Sequence, residues 1–142
     1  MVLLTNENLV KEAYKAREFA YSPYSKFKVG AALLTKDGKV YRGCNIENAA
    51  YTPTNCGERT AFFKAISEGK KEFEKIAIVG HFDNVKEEDR DYCAPCGVCR
   101  QVMVEFCLAK EFEVIIAKGE DDYKIYTLEE LLPLSFSNEN LS

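Results

Sequence analysis

Cys56-Gly57-Glu58-Arg59-Thr60-Ala61-Phe62-Phe63-Lys64-Ala65-Ile66-Ser67-Glu68-Gly69, followed a little later by Ile76-Ala77-Ile78-Val79-Gly80, decides the reading of the fold. The first stretch predicts a helix from about Cys56 to Glu68, closed by Gly69. The second is a short apolar run that suits a buried strand. Upstream, Phe27, Val29, Ala31 and Leu33 alternate with mostly small or polar neighbours, Asp37-Gly38 supplies a turn, and Val40 to Cys44 returns as a hairpin. Before the hairpin, Leu9, Ala13, Ala16 and Ala20 recur at helical spacing between Thr5, a plausible N-cap, and about Tyr21, where Ser22-Pro23 ends the segment.

Downstream come an acidic loop (Asp83 to Asp91), a helix from about Cys96 to Leu108, a strand from Glu113 to Ala117 and a short strand from Lys124 to Tyr126. Thr127 with Glu130 forms a capping-box pattern for a short helix that Pro133 stops. The tail from Ser135 is polar apart from Phe136 and Leu141. Strands separated by helices predict an α/β fold: a three-layer α/β/α arrangement with a mixed central sheet of about five strands. The chain reads as one domain over residues 1–142.

Composition narrows the function. Apolar residues make up 46% and charged residues 30%, as in an ordinary globular protein. No apolar run approaches the roughly 20 residues that span a bilayer, and Met1 to Thr5 is too short for the apolar part of a leader, so a cytoplasmic location and no membrane partner are expected. The net charge is −4, with bases interleaved among acids. A basic face for a polynucleotide is not apparent, which favours a small substrate. Six cysteines without an export signal point to free thiols or metal ligation rather than a disulfide framework.

The chemistry lies in Asn55-Cys56-Gly57-Glu58-Arg59 and Pro95-Cys96-Gly97-Val98-Cys99. Cys96 and Cys99, three apart at a helix start, place both sulfurs on one side of the first turn. Cys56 opens the other helix. Convergence of these two helix N-termini would gather three thiolates where backbone N–H groups and positive dipole ends depress thiol pKa. Three protein ligands on a tetrahedral Zn²⁺ leave one corner for water, the layout of a catalytic rather than a structural site. Glu58, outside the ligand set, is placed to handle the protons of that water. Three thiolates make the zinc electron-rich, so Arg59 is expected to donate hydrogen bonds to the sulfurs and keep the metal electrophilic.

These residues and their flanks resemble the cytidine deaminase family, in particular its small homotetrameric type with three cysteine ligands; the spacing is the signature of zinc nucleobase deaminases. The resemblance covers nearly the whole chain. It is carried by Tyr24-Ser25-Lys26-Phe27-Lys28-Val29-Gly30-Ala31-Ala32-Leu33, Gly43-Cys44-Asn45-Ile46-Glu47-Asn48-Ala49-Ala50-Tyr51, Cys56-Gly57-Glu58-Arg59-Thr60-Ala61, Pro95-Cys96-Gly97-Val98-Cys99-Arg100-Gln101, and Leu131-Leu132-Pro133 with Phe136. It implies one Zn²⁺ per subunit on Cys56, Cys96 and Cys99. It also implies hydrolysis of cytidine and 2′-deoxycytidine to uridine and 2′-deoxyuridine plus ammonia, with water activated at the zinc attacking C4 and Glu58 as proton shuttle. By the same resemblance Phe27 packs on the pyrimidine, Asn45 and Glu47 hydrogen-bond the ribose, and the Gly57 N–H contacts the base carbonyl. Ala49, Tyr51 and Phe136 would close a neighbouring subunit's site in a homotetramer.

Other readings compete. A deaminase of a cytosine-containing antibiotic would not need a sugar-reading Asn45 and Glu47. Cys93-x-x-Cys96-x-x-Cys99 imitates an iron–sulfur run, but leaves Cys56 and Glu58 idle. A thioredoxin-like use of Cys96 and Cys99 also leaves Cys56 idle, and the intact Cys, Cys, Cys, Glu set argues against a binding-only paralogue with a dead site. Cys93 itself reads as a loop thiol, Cys44 and Cys107 as small core residues, and His81 as a surface or loop residue after its strand. Phe62 and Phe63 read as core and subunit packing, and the acidic loop as a solvated excursion.

Overall fold

The computed structural model describes residues 4–141; Met1, Val2 and Leu3, which belong to the N-terminal stretch read above as too short for a leader, and Ser142 lie outside the described residues. In chain order the elements are α1 (Asn6–Arg17), β1 (Phe27–Thr35), β2 (Val40–Cys44), α2 (Gly57–Ser67), β3 (Phe73–Phe82), α3 (Gly97–Phe106), β4 (Glu113–Gly119), β5 (Asp122–Thr127) and α4 (Leu128–Leu131). The sheet has the order β2-β1-β3-β4-β5. Only β3 and β4 pair in parallel among the described strands; the other neighbours are antiparallel. A parallel pair needs a long crossover, and the segment containing α3 supplies it.

Alternation of side chains along the strands divides the interior into two faces. Ala31, Leu33, Ile76, Ile78, Val114 and Ile116 lie on one side with Ala61, Phe62, Ala65 and Met103 of α2 and α3. Ala32, Leu34, Ala77, Val79, Ile115 and Ala117 lie on the other, under Leu9, Val10 and Ala13 of α1. The central strands are therefore covered on both faces, which is why Ile76 to Gly80 reads as an unbroken apolar run. Phe62 fastens α2 to its face, with its ring 5.0 Å from Phe73 and 5.9 Å from Phe112. Burying a side chain of that size contributes about 1.5–3 kcal/mol. Phe63, its neighbour, turns outward and is half exposed.

Thr5 caps α1 by accepting the Asn8 N–H at 3.1 Å. The helix stops at Arg17, short of the expected Tyr21, because Tyr21 instead donates its N–H to the Asn45 carbonyl at 2.9 Å. The apolar run at Ile76 belongs to a longer strand, and this corrects the reading of His81. Pairing with β1 continues through Lys28 and His81 to Phe27 and Phe82, so His81 lies inside β3 and is 6% exposed. Arg17 donates to its carbonyl at 2.7 Å, and the Tyr14 ring lies 6.3 Å away. Burial lowers the imidazole pKa.

The other departures are small. β5 is longer than Lys124 to Tyr126, and α3 ends before Leu108. The capping box of Thr127 and Glu130 forms as expected. The acidic loop is exposed but anchored at its start, where Asp83 pairs with Arg17 at 3.0 Å and Lys28 at 2.7 Å. Cys107 packs half-buried against the α2/α3 core, while Cys44 is half-buried at the end of β2.

One glycine brings α2 down onto the sheet. A Cβ on Gly43 would lie 2.3 Å from the Gly57 carbonyl oxygen and 2.4 Å from the Ala61 nitrogen. No side chain fits there, so the first turn of α2 can rest directly on β2.

Candidate active site

Cys56 is the N-cap of α2 and Cys96 the N-cap of α3, and Cys99 sits in the first turn of α3. The Cys56 and Cys96 sulfurs are 3.7 Å apart, those of Cys96 and Cys99 3.2 Å, and all three lie within 4.8 Å of one another. A tetrahedral zinc with Zn–S bonds of about 2.3 Å spaces its sulfurs about 3.8 Å apart, so the donor set suits that ion in both softness and size. The expected convergence of two helix N-termini is present. Cys96 Sγ also accepts the Cys99 backbone N–H at 3.4 Å.

Arg59 reaches back one turn and donates to Cys56 Sγ at 3.1 Å. A hydrogen bond from Cys99 and then that guanidinium lower the Cys56 thiol pKa to about 5, overcoming its burial. Cys99 is pushed the other way by its hydrogen bond to Cys56 and by burial. The first turn of α2 is tied further by Thr60, whose hydroxyl donates to the Cys56 carbonyl and accepts from Asn55, each at 3.1 Å.

Glu58 is 4% exposed. Desolvation raises its carboxyl pKa to about 7, and the negative charge of Cys56 adds to the rise. A carboxyl poised near neutrality can both take and give a proton, which general acid–base catalysis requires. A dication on the adjacent sulfurs would draw the value down again.

Cys93 stays outside the sulfur group. It is half-buried, and desolvation pushes its thiol pKa up to about 12, with Glu58 and Cys56 contributing. A Cβ on Gly80 would lie 2.8 Å from Cys93 Sγ and 3.0 Å from Phe27 Cε1. The glycine thus admits Cys93 and Phe27 side by side, a signal that sequence alone did not carry. A protonated thiol outside the group does not complete an iron–sulfur ligand set, and Glu58 would have no task in one.

Phe27 begins β1 and meets Phe82 edge to face, centroids 5.1 Å apart. Asn45 is buried, with both ends of its amide engaged: Oδ1 accepts the Val29 N–H at 2.9 Å and Nδ2 donates to the Phe27 carbonyl at 2.8 Å. One acceptor position and one N–H remain for a ligand. Glu47 accepts the backbone N–H groups of Tyr24 and Ser25, both at 3.0 Å. Gly57 opens α2 behind Cys56, where a Cβ would lie 3.2 Å from Val29 Cγ1 and 3.4 Å from the Cys44 Cα. Ala49, Tyr51 and Phe136 are exposed, the first two on the turn after β2 and the last in the tail. Gln101, not singled out by the sequence reading, donates to the Phe136 carbonyl at 2.8 Å.

Three soft ligands and a buried carboxylic acid at the helix ends of an α/β/α sheet define a zinc hydrolase site. Over residues 4–116 the chain matches the family model of the cytidine and deoxycytidylate deaminase zinc-binding region, and it belongs to that family. It is 50% identical over 136 residues to the cytidine deaminase of Sporosarcina psychrophila, covering 96% of this chain and 94% of the relative. It is 48% identical over 139 residues to that of Halalkalibacterium halodurans, covering 98% and 99%. The crystal structure of cytidine deaminase from Burkholderia pseudomallei superposes with a TM-score of 0.83 at 46% identity, covering 93% of this chain and 99% of that one.

Proposed function

We propose that this chain is a zinc-dependent hydrolase of pyrimidine salvage that converts cytidine and 2′-deoxycytidine to uridine and 2′-deoxyuridine with release of ammonia. The observation that carries the reading is the meeting of three sulfurs and buried Glu58 at the N-termini of α2 and α3. Zinc supplies a Lewis acid and a coordination position for water. Cys56, Cys96 and Cys99 hold it, and the Arg59 contact with Cys56 offsets their negative charge. Glu58 takes a proton from water and delivers it to the ring nitrogen beside C4, then takes the second proton from the new C4 hydroxyl and passes it to the amino group, which departs as ammonia.

Phe27 packs against the base, the Gly57 N–H meets the base carbonyl, and Asn45 and Glu47 read the sugar. Their free hydrogen-bonding positions suit neutral hydroxyls, which favours a plain nucleoside over a nucleotide, a polynucleotide or a cytosine-containing antibiotic. Ala49, Tyr51 and Phe136 close the site of a neighbouring subunit in a homotetramer. Phe19, Tyr21, Tyr24, Phe63 and Phe136 are exposed, and a neighbouring subunit would cover some of them. The six cysteines are all unpaired, which fits a reducing cytoplasm. Among the described residues no helix is long and apolar enough to cross a membrane.

Ammonia release and the ultraviolet absorbance change with cytidine, before and after removal of metal by a chelator, test the proposal. Turnover that zinc restores supports it. A metal-loaded chain that releases no ammonia from either nucleoside overturns it.

A further inference from the structure

We infer that Ser25 is a positioning residue: it holds the Glu47 carboxylate in the orientation that reads the sugar, and so sets how strongly the enzyme discriminates for sugar hydroxyls. The inference rests on the nucleoside deamination proposed above.

Glu47 is locked from one side. Its Oε1 accepts the N–H groups of Tyr24 and Ser25 at 3.0 Å each, and its Oε2 accepts the Ser25 hydroxyl. The same Ser25 oxygen accepts the Phe27 N–H at 3.0 Å. Lys26, with φ of 64°, turns the chain between the two so that hydroxyl and N–H face each other. One serine therefore joins the carboxylate assigned to the sugar to the aromatic residue assigned to the base. A carboxylate offers about four lone-pair positions. Three are taken, and the fourth, on Oε2, is left to accept one O–H. The Ser25 hydroxyl holds Oε2 and so aims that remaining position. Its hydrogen bond is also the foremost cause of the lowered Glu47 pKa, which keeps the group an ionised acceptor.

The test compares cytidine with 2′,3′-dideoxycytidine on the zinc-loaded full chain. Ser25→Ala should raise KM for cytidine roughly tenfold, the scale of one hydrogen bond to a charged group, while kcat changes less than about twofold. The dideoxynucleoside, which lacks the 2′ and 3′ hydroxyls, should be turned over almost as by the wild type, so the ratio of the two kcat/KM values shrinks. Ser25→Thr, which keeps the hydroxyl, should restore the ratio. In a Glu47→Gln background the serine substitution should change little more, because its effect passes through the missing carboxylate. Equal losses for both nucleosides, or a full effect that persists without Glu47, overturn the role of Ser25 alone. A wild type that turns over neither nucleoside overturns the deaminase reading and this role with it.

Discussion

Cys56 and Cys96 each cap a helix, and their sulfurs stand where the backbone of α2 and α3 puts them. Asn45 and Glu47 lie in the irregular stretch after β2, and side-chain hydrogen bonds to β1 and to the loop of Tyr24 and Ser25 hold them. The metal end thus borrows its rigidity from secondary structure, whereas the rim proposed to read the sugar has to be stapled. The difference follows from the work of each end. Proton transfer at a metal tolerates little displacement, so its groups sit on helix turns packed against the sheet. The rim proposed to admit a nucleoside is open to solvent, and Tyr51 and Phe136 are 75% and 61% exposed.

Substitutions at the two ends should therefore separate chemistry from architecture. The largest effect belongs to Glu58→Gln, which leaves the three sulfurs untouched. Activity should fall by a factor on the order of 10²–10⁴ or more, the scale of general acid–base catalysis, with zinc content unchanged. Metal analysis beside an ammonia assay reads both; activity within tenfold of the wild type would show that protons move elsewhere.

Arg59→Gln comes next. Losing the donor to Cys56 should cost about ten- to hundredfold in turnover with zinc near normal, the usual scale for groups that support a metal's ligands. Unchanged turnover would mean that the helix dipoles alone offset the thiolate charge.

At the rim the smallest and different kind of effect is expected. Asn45→Ala strands the Val29 N–H and the Phe27 carbonyl, and should destabilise the fold by about 2 kcal/mol. The urea midpoint would report it. If the midpoint stays put while KM for cytidine rises, Asn45 is a ligand group and not a staple, and the contrast between the two ends weakens.

Much of this layout is legible in the residue order. Thr5, Asp37-Gly38 and the pair Thr127 and Glu130 mark local boundaries because caps and turns depend on near neighbours in the chain. Cys96 and Cys99 share a helix turn for the same reason. His81 was misread because strand length is decided by a partner. Only the continued pairing with β1, under the cover of Tyr14 and Arg17, carries β3 past Gly80. The bond between Ser25 and Glu47 links residues on opposite sides of the β1–β2 hairpin, so no local pattern announces it.

By itself the sequence determined the alternation of helices and strands and marked three candidate sulfur ligands with a carboxylic acid beside them. Those follow from periodicity and donor chemistry, which are properties of short segments. Tertiary structure alone decided that the two helix ends meet, that desolvation carries Glu58 to about 7, and that Ser25 faces Glu47. Distance and burial arise only when remote segments pack against one sheet, and a linear order of residues does not contain them.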